Sequence, residues 1–234
     1  MKTYFNQSLV FLDTETTGLD TDAQIIEIAI IDGSGDVLVD QRLRPSVSID
    51  ERAQAFFDST LNVDMQPLYD RFLPLIQDGG SILDAGCGSG RDAYFFKTKG
   101  YSVTAMDASK TLCKLASAHL NQDVHCLRFE EIVWQGVFNA VWACASLLHV
   151  PKAELPAAFL KLFQSLKPDG VLYCSFKYGL EERQQGGRTF TDLNEAELIK
   201  VLDQTGIQYR LETWITEDQR PDRNERWLNA LVWL

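Results

Sequence analysis

The hydrophobic pattern from residue 49 to the C-terminus alternates between two periods. Short apolar runs predict strands at residues 82–84, 103–107, 124–129, 138–143 and 171–177. Apolar residues three and four apart predict helices at 49–65, 68–76, 110–120, 152–166 and 193–204, with another helix from Arg91. Such alternation is typical of a doubly wound, mostly parallel α/β sheet. Two further runs, at 207–216 and 226–233, predict an antiparallel pair at its edge. The polar stretch 184–188 predicts a loop.

The first 48 residues follow a different pattern. Apolar runs at 9–12, 25–31 and 37–43 predict three strands, with a turn signal, DGSGD, at 32–36. We therefore predict two domains, a short β-meander at 1–48 and an α/β domain at 49–234. Because three strands need a partner to cover their apolar face, we expect the exposed edge to pair with the second domain or with a second chain. The latter would be a homodimer through the N-terminal strands.

A glycine-rich loop follows the predicted strand at 82–84. Residues 84–90 read DAGCGSG, with glycines at alternate positions between a strand and a helix. Glycine accepts positive φ and lets a ligand approach the main chain. A turn of this kind at the carboxyl end of a parallel strand predicts a site for a nucleotide-like ligand. The spacing matches neither the dinucleotide pattern G-x-G-x-x-G nor the phosphate loop, which ends in G-K-[ST].

Two carboxylates follow the ends of neighbouring strands. Asp84 precedes the first glycine, where it would repel a pyrophosphate but suit a ligand with cationic groups. Asp107 ends the next strand 23 positions later, close to the roughly 20-residue offset expected of a carboxylate that binds ribose hydroxyls. S-adenosylmethionine carries an ammonium and a sulfonium but no phosphate. The sequence therefore predicts S-adenosylmethionine as the cofactor.

These motifs resemble the class I S-adenosylmethionine-dependent methyltransferases over residues 50–234. Within that superfamily, the stretches 53–64, 83–92, 142–150 and 175–178 resemble the tellurite-resistance-type branch of small-molecule methyltransferases. The resemblance implies a Rossmann-like fold. It also implies transfer of the cofactor's methyl group to a small-molecule acceptor by in-line displacement.

The resemblance further implies which residues bind the cofactor. Asp84 would bind the methionine end, directly or through water, and Asp107 the ribose, although Asp107 also fits a cap before the next helix. Phe129, through its amide, and Glu130 would contact the adenine amine; a solvated Glu130 is the alternative. Cys87 fits a small neutral filler better than a nucleophile. The full predicted set is Asp84, Gly86, Cys87, Gly88, Asp107, Ala108, Phe129, Glu130 and Ala143.

For the acceptor, the resemblance places aromatic and basic side chains over the pocket, which would suit an anionic or soft acceptor. These are Phe56, Phe57, Tyr69, Arg91, Lys177, Tyr178 and Arg188, each of which also fits an ordinary core or surface position. His149 follows the strand at 138–143 and is the candidate catalytic base, since imidazole titrates near neutrality. The alternative is a histidine that caps or packs against the next helix. A soft anionic acceptor would need no base, whereas a hydroxyl or an amine would.

The N-terminal segment resembles the start of the DnaQ-like 3′–5′ exonucleases. Asp13 and Glu15 match the D-x-E of the first motif, and Glu27 falls on the next strand. Carboxylates two apart on a strand share a face and can bind a divalent metal. The later motifs of that family are missing, since His149 followed by Glu154 is a poor match inside the methyltransferase pattern. Residues 1–48 are therefore predicted to be a fragment without exonuclease activity, and we predict no metal site.

The amino-acid composition and net charge limit the classes of partner that the chain is expected to bind. The 234 residues are 45% hydrophobic and 24% charged, which is typical of a globular chain. A net charge of −11 argues against nucleic acid as a partner. Neither an apolar run of membrane-spanning length nor a signal-peptide pattern is present. Five cysteines, an odd number found mostly in apolar runs, indicate reduced thiols and a cytoplasmic location.

The predicted function is a methyltransferase that uses S-adenosylmethionine on a small molecule. Two alternatives belong to other classes. A metal-dependent 3′–5′ exonuclease acting through Asp13 and Glu15 would release nucleotides when a divalent ion is added. A non-catalytic S-adenosylmethionine-binding protein would bind the cofactor without turnover.

Overall fold

The computed structural model describes residues 11–16, 25–31, 37–42, 49–185, 188–218 and 225–234, with side chains from residue 53 onward. It divides into two units, Met1–Glu51 with Gln185–Gly187, and Arg52–Gln184 with Arg188–Leu234. The predicted boundary after residue 48 stays a prediction.

The smaller unit contains the predicted three-stranded meander. Its strands are β1 (Phe11–Thr16), β2 (Ile25–Ile31) and β3 (Val37–Arg42), in the order β1-β2-β3 with both pairs antiparallel. Strand β1 continues to Thr16, beyond the predicted end at residue 12, and includes Asp13 and Glu15. In the register, Glu15 lies opposite Glu27. The predicted turn at 32–36 lies outside the described residues.

The six described helices follow the predicted order. They are α1 (Ile49–Thr60), α2 (Gln66–Phe72), α3 (Arg91–Thr98), α4 (Lys110–Leu120), α5 (Leu155–Ser165) and α6 (Glu195–Asp203). The helix at 110–120 has its predicted bounds, those predicted at 49–65, 152–166 and 193–204 are shorter, and that predicted at 68–76 begins two residues earlier and ends at Phe72. The N-terminus of α6 is set by Asn194, whose side chain accepts a hydrogen bond from the Glu197 amide at 2.9 Å. Residues 152–154, predicted as the start of α5, form a separate 3₁₀ turn.

A seven-stranded sheet forms the centre of the larger unit. Its order is β11-β12-β8-β7-β4-β5-β6, with β9 and β10 forming a separate two-stranded sheet. The bounds are β4 (Ser81–Ala85), β5 (Ser102–Asp107), β6 (His125–Cys126), β7 (Phe138–Ala143), β8 (Leu166–Lys177), β9 (Glu182–Gln185), β10 (Arg188–Thr191), β11 (Arg210–Glu217) and β12 (Arg226–Trp233). Strands β4 to β8 pair in parallel, whereas β12 pairs antiparallel with both β8 and β11. The predicted fold class is confirmed.

Several predictions for strands and loops are also wrong in their bounds. The strand at 124–129 is reduced to His125–Cys126, because the chain turns into a 3₁₀ segment, Phe129–Glu131, whose Glu131 carboxylate accepts from the Arg128 amide at 2.8 Å. Strand β8 starts five residues early, at Leu166, through a register shift against β7. The predicted polar loop at 184–188 contains the end of β9 and the start of β10.

Both faces of the sheet are buried, as expected when helices cover a parallel sheet on both sides. On β7, Val141 and Ala143 pack into one core cluster, while Ala140 and Trp142 pack into the other. The indole of Trp142 stacks on Tyr173 of β8 with ring centroids 4.0 Å apart. Because β4 pairs in parallel with both β5 and β7, the carboxyl ends of these three strands lie side by side.

Candidate active site

The glycine loop at the end of β4 adopts a backbone that requires glycine. Gly86, Gly88 and Gly90 have φ values of +85°, +54° and +77°. A Cβ on Gly86 would lie 2.3 Å from the Cβ of Ser146. The loop therefore packs directly against the segment that follows β7.

The amides of this loop are already engaged within the protein. The N–H groups of Gly86 and Cys87 both donate to the Met106 carbonyl, at 2.8 and 2.9 Å. The Gly90 N–H donates to the Cys87 carbonyl at 2.8 Å, and the Gly88 N–H donates to Oδ2 of Asp107 at 2.9 Å. The glycines therefore provide space for a ligand, because their own N–H groups already donate within the protein.

Asp107, at the end of β5, holds two backbone amides. Its Oδ2 accepts from Gly88, and its Oδ1 accepts from Ser109 at 2.8 Å. The N-cap of α4 is Ser109, whose Oγ accepts from the Leu112 amide at 3.3 Å. Because each carboxylate oxygen has a further lone pair, the half-buried Asp107 can still accept hydroxyl hydrogens from a ligand.

Asp84 is buried at the end of β4, with 2% of its surface exposed. Its Oδ2 accepts a hydrogen bond from the Ala93 amide at 3.0 Å, which ties the strand to the first turn of α3. Burial and the negative charge of Asp92 raise the pKa of Asp84, while Arg91 opposes this shift. A cationic group brought to this position would stabilise the charged carboxylate.

Behind the loop lies a buried cluster centred on Asp92, which sequence reasoning missed. Asp92 is 6% exposed. Its carboxylate accepts two hydrogen bonds from Arg91, from Nε at 2.6 Å and from Nη2 at 2.9 Å. It also accepts from the Tyr69 hydroxyl at 2.5 Å and from the Trp142 indole N–H at 2.8 Å. Burial alone would raise the pKa of Asp92, but the guanidinium and the other donors lower it overall. The sequence signal for Asp92 is an acidic residue in the first turn of a helix that follows a glycine loop.

Helix α1 ends over the glycine loop. Thr60 donates through Oγ1 to Ser89 Oγ at 3.1 Å, and its carbonyl accepts from Arg91 Nη1 at 3.3 Å. The ring of Phe56 lies 3.2 Å from the position a Cβ on Gly88 would take. Of the two neighbouring phenylalanines, Phe56 therefore faces the loop, whereas Phe57 packs edge-on against His119 of α4.

The predicted acceptor residues Tyr69 and Arg91 belong to the buried Asp92 cluster. Tyr69 is 4% exposed and its hydroxyl is held by Asp92. The Arg91 side chain is 19% exposed and bonded to the same carboxylate. In the described protein these two groups support the loop and α1. Their contact with an acceptor stays a prediction.

The segment after β7 carries an unusual backbone. Ala145 has a φ of +49°, uncommon for a residue with a side chain. Its N–H donates to Ser175 Oγ at 2.8 Å, and Ser146 Oγ donates to the Ala85 carbonyl at 2.7 Å. These bonds hold the carboxyl end of β7, at Ala143, beside the glycine loop.

His149 is held by strand β10. Its Nδ1–H donates to the Thr189 carbonyl at 2.9 Å, and its ring packs edge-on against Phe190 with centroids 4.8 Å apart. Since Nδ1 carries the hydrogen, Nε2 of the neutral ring is the proton acceptor. Loss of hydration lowers the pKa of His149, Arg188 and Lys177 lower it further, and the bond to Thr189 opposes them.

Basic groups surround the same strand. The Lys177 ammonium and the Arg183 guanidinium lie 5.6 and 5.3 Å from the Phe190 ring, and the Arg188 guanidinium lies 6.0 Å from the Phe56 ring. Lys177 also pairs with Glu225. Sequence reasoning missed Phe190, because 188–191 was not recognised as a strand. Tyr178 is the residue directly after β8, and its hydroxyl donates to the Glu195 carboxylate at 3.2 Å.

The remaining predicted residues lie at the rim or in the core. Phe129 is partly buried against the main core, Ala108 is exposed, and the Glu130 side chain is 67% exposed beside Arg128. Cys87 is buried, and burial with the charges of Asp84 and Asp107 raises the pKa of its thiol. A protonated, buried thiol is a filler and a poor nucleophile.

A family model described as a methyltransferase domain matches residues 57–213, more than half of the chain. The chain belongs to this family. Among solved structures it is similar to a Burkholderia thailandensis 1,6-didemethyltoxoflavin-N1-methyltransferase with bound S-adenosylhomocysteine. The TM-score is 0.63 at 19% identity, over 94% of this chain and 98% of that one. At this identity the likeness shows the fold.

Curated relatives match shorter parts of this methyltransferase-domain chain. The putative methyltransferase YqeM of Bacillus subtilis is 28% identical over 124 residues, 47% of this chain and 50% of YqeM. An uncharacterized exonuclease of Escherichia phage 186 is 37% identical over 59 residues, 25% of this chain and 30% of that protein. The chain thus spans half or less of the length of the first curated relatives it matches.

Among the residues that the structure describes, no group of three or more histidine, cysteine or acidic side chains is arranged to hold a metal ion. None of the helices seen there is long and apolar enough to cross a membrane.

We predict that Gly86→Ala disrupts the site. The added methyl group would need to displace Ser146 at 2.3 Å, and alanine is strained at a φ of +85°. We expect the free energy of unfolding to fall by about 2–4 kcal/mol, as measured by urea denaturation. Gly100→Ala is the matched control, because Gly100 also has a positive φ, +89°, but nothing within 4 Å of the new methyl group. Equal losses in the two variants would refute a specific role for the contact with Ser146.

Proposed function

We propose that this chain transfers the methyl group of S-adenosylmethionine to a small-molecule acceptor. The observation that carries the proposal is the arrangement of Asp84 and Asp107 around the glycine loop at the carboxyl ends of β4 and β5. Both are carboxylates beside a loop whose backbone N–H groups mostly donate to other groups of the protein. These acceptors suit hydroxyls and cationic groups, and the site offers few free donors to a phosphate.

The cofactor fits these residues. Asp107 would accept the ribose hydroxyls, and Asp84 would stabilise the positively charged methionine end, directly or through water. The main chain of Phe129 and the carboxylate of Glu130 remain the candidates for the adenine amine. When bound, S-adenosylmethionine supplies an electrophilic methyl group on a sulfonium.

The protein's own contribution is alignment and exclusion of water. Helix α1 covers the loop through Phe56 and Thr60, and the Arg91–Asp92 pair fixes the end of that helix to α3. Orienting the reactants in this way converts a bimolecular step into an effectively unimolecular one. The Burkholderia structural relative, whose name states a small-molecule acceptor, supports an acceptor of that kind here.

The direct test is calorimetric titration of the chain with S-adenosylmethionine, followed by a screen of acceptors. Micromolar binding with methyl transfer to a small molecule would support the proposal. Absence of binding would overturn it, and binding without transfer to any acceptor would favour the non-catalytic alternative.

For hydroxyl or amine acceptors we propose His149 as the general base. We predict that His149→Gln lowers kcat about 10²–10⁴-fold. In the wild type, activity should fall as the pH drops through the pKa of His149, which lies below its ordinary value of about 6.5, because only the neutral ring accepts a proton. The variant should lack this limb of the pH profile. His125→Gln, at an exposed histidine of β6, is the control. An unchanged rate in His149→Gln would indicate an acceptor that needs no base.

Finer assignments remain part of this proposal. We place the chain in the tellurite-resistance-type branch on the four stretches that resemble it. Residues 1–48 are proposed to be an exonuclease-derived fragment without activity, and the short phage match supports its likeness to exonucleases. We also propose that the exposed edge of these strands forms a homodimer contact. The five free cysteines are consistent with a reducing, cytoplasmic location.

A further inference from the structure

A second cleft lies beyond the end of β8, between two segments that run alongside each other. Tyr178 forms an isolated parallel bridge with Leu193, and the Asp192 N–H donates to the Glu181 carbonyl at 2.8 Å. The cleft has a volume of about 540 Å³. Its lining consists of Tyr178, Gly179, Leu180, Glu181, Asp192 and Asn194. Of these residues, the sequence predicted a role only for Tyr178, in the acceptor site.

Asp192 in this cleft has an unused acceptor. The residue is 9% exposed, and its Oδ2 pairs with Arg183. Its Oδ1 is buried and has no hydrogen-bond partner among the described residues. A buried acceptor without a donor costs free energy, and native proteins leave few of them. A ligand that supplies an N–H or O–H group to Oδ1 would remove this cost.

The charge of the residues that line the cleft indicates which kind of hydrogen-bond donor a ligand would carry. The lining residues include two carboxylates, those of Glu181 and Asp192, and no lysine or arginine. Arg183, which is outside the lining, pairs with Oδ2 of Asp192, and the guanidinium of Arg226 lies 4.6 Å from the Tyr178 ring. Leu180, with 64% of its surface exposed, and the ring of Tyr178 add apolar surface. A positively charged nitrogen with a small carbon skeleton matches this combination better than a hydroxyl, because charge-assisted hydrogen bonds are the stronger ones.

We propose that this cleft binds the ammonium group of a small molecule, which donates an N–H to Asp192 Oδ1. Arg183 connects the cleft to the candidate active site, because its guanidinium pairs with Asp192 and lies 5.3 Å from the ring of Phe190, which packs on His149. In this proposal the ammonium belongs to the methyl acceptor. In this respect the inference rests on the proposed function and narrows it to amine-bearing acceptors. Because Oδ1 is covered in the protein alone, binding should shift residues 179–181.

Nuclear magnetic resonance of the full ¹⁵N-labelled chain tests this, with benzylamine as the probe and benzyl alcohol as its neutral counterpart. We expect benzylamine to cause saturable shifts at the amides of Gly179, Leu180 and Asn194, and the alcohol to cause none. Asp192→Asn should weaken benzylamine binding about tenfold or more, since a charged acceptor is lost. Glu181→Gln, which removes the other lining carboxylate, should weaken it less.

Equal binding of the two probes, no saturable shift with benzylamine, or an Asp192→Asn variant that binds as the wild type does would each overturn the proposal. If Asp192→Asn fails to fold, the two wild-type titrations still decide. Calorimetry with S-adenosylmethionine separates this inference from the proposed function. Cofactor binding without benzylamine binding refutes only the amine site, whereas absence of cofactor binding refutes the methyltransferase function itself.

Discussion

Replacing Asp92 with alanine should lower the free energy of unfolding by about 3–5 kcal/mol, because it removes one partner of a buried ion pair. The guanidinium of Arg91 would remain beneath α1, only 19% exposed, without its carboxylate. The Tyr69 hydroxyl and the Trp142 indole N–H, both now bonded to Asp92, would lose their acceptor. Urea denaturation followed by tryptophan fluorescence measures the change.

Asp70→Ala is the matched control for this prediction. Asp70 is an exposed carboxylate on α2 that accepts a hydrogen bond from the Gln66 side chain at 2.6 Å. We expect its loss to change stability by about 0.5 kcal/mol or less. A similar small loss for Asp92→Ala would mean that the buried pair contributes nothing beyond a surface contact.

The same cluster predicts a pH dependence. Although burial works against it, Arg91 and the other donors hold the pKa of Asp92 below its ordinary value of about 3.9. Its contribution to stability is therefore complete above that ordinary value and is lost as the pH falls through the lower, folded-state pKa. In Asp92→Ala, this part of the acid-induced loss of stability should be absent.

Asp107→Ala should weaken binding of S-adenosylmethionine about 100-fold or more. Two ribose hydroxyls would lose a charged acceptor, and such bonds contribute about 1.5–3 kcal/mol each. The Gly88 amide would also lose the carboxylate that holds it at 2.9 Å. Calorimetric titration measures the affinity of both proteins.

Asp123→Ala provides the control, since Asp123 is an exposed acid just before β6. It should bind the cofactor within about threefold of the wild type, as expected for a rim charge in a salt-screened solution. An Asp107→Ala variant that is folded and also binds within threefold would show that the ribose is held elsewhere.

Local patterns accounted for the centre of the site. The glycine loop, Asp84 and Asp107 all follow directly from the ends of two predicted strands, because parallel strands bring their carboxyl ends to one edge of a sheet. The bounds of β12 were also predicted correctly, from an apolar run that only Asn229 interrupts after Arg226. The assignment of individual side chains to cofactor and acceptor still awaits experiment.

Short and polar segments were harder to predict. Strand β6 is only two residues long, too short for a periodic pattern to register. The β9–β10 pair contains charged and polar residues that suggest a loop, yet it places Thr189 and Phe190 against His149. Pairing of such strands depends on what they pack against, and a local window of sequence does not include it.

The amino-acid sequence by itself determined the doubly wound sheet, the glycine loop and the two strand-end carboxylates, because each depends on residues close together in the chain. Only the tertiary structure decided that Tyr69 and Trp142, 23 and 50 residues away, bond to Asp92 beside its neighbour Arg91. It also decided which carbonyl fixes His149, 40 residues away. Buried charges and hydrogen bonds must be satisfied by whatever packing brings near, and this requirement acts across the fold.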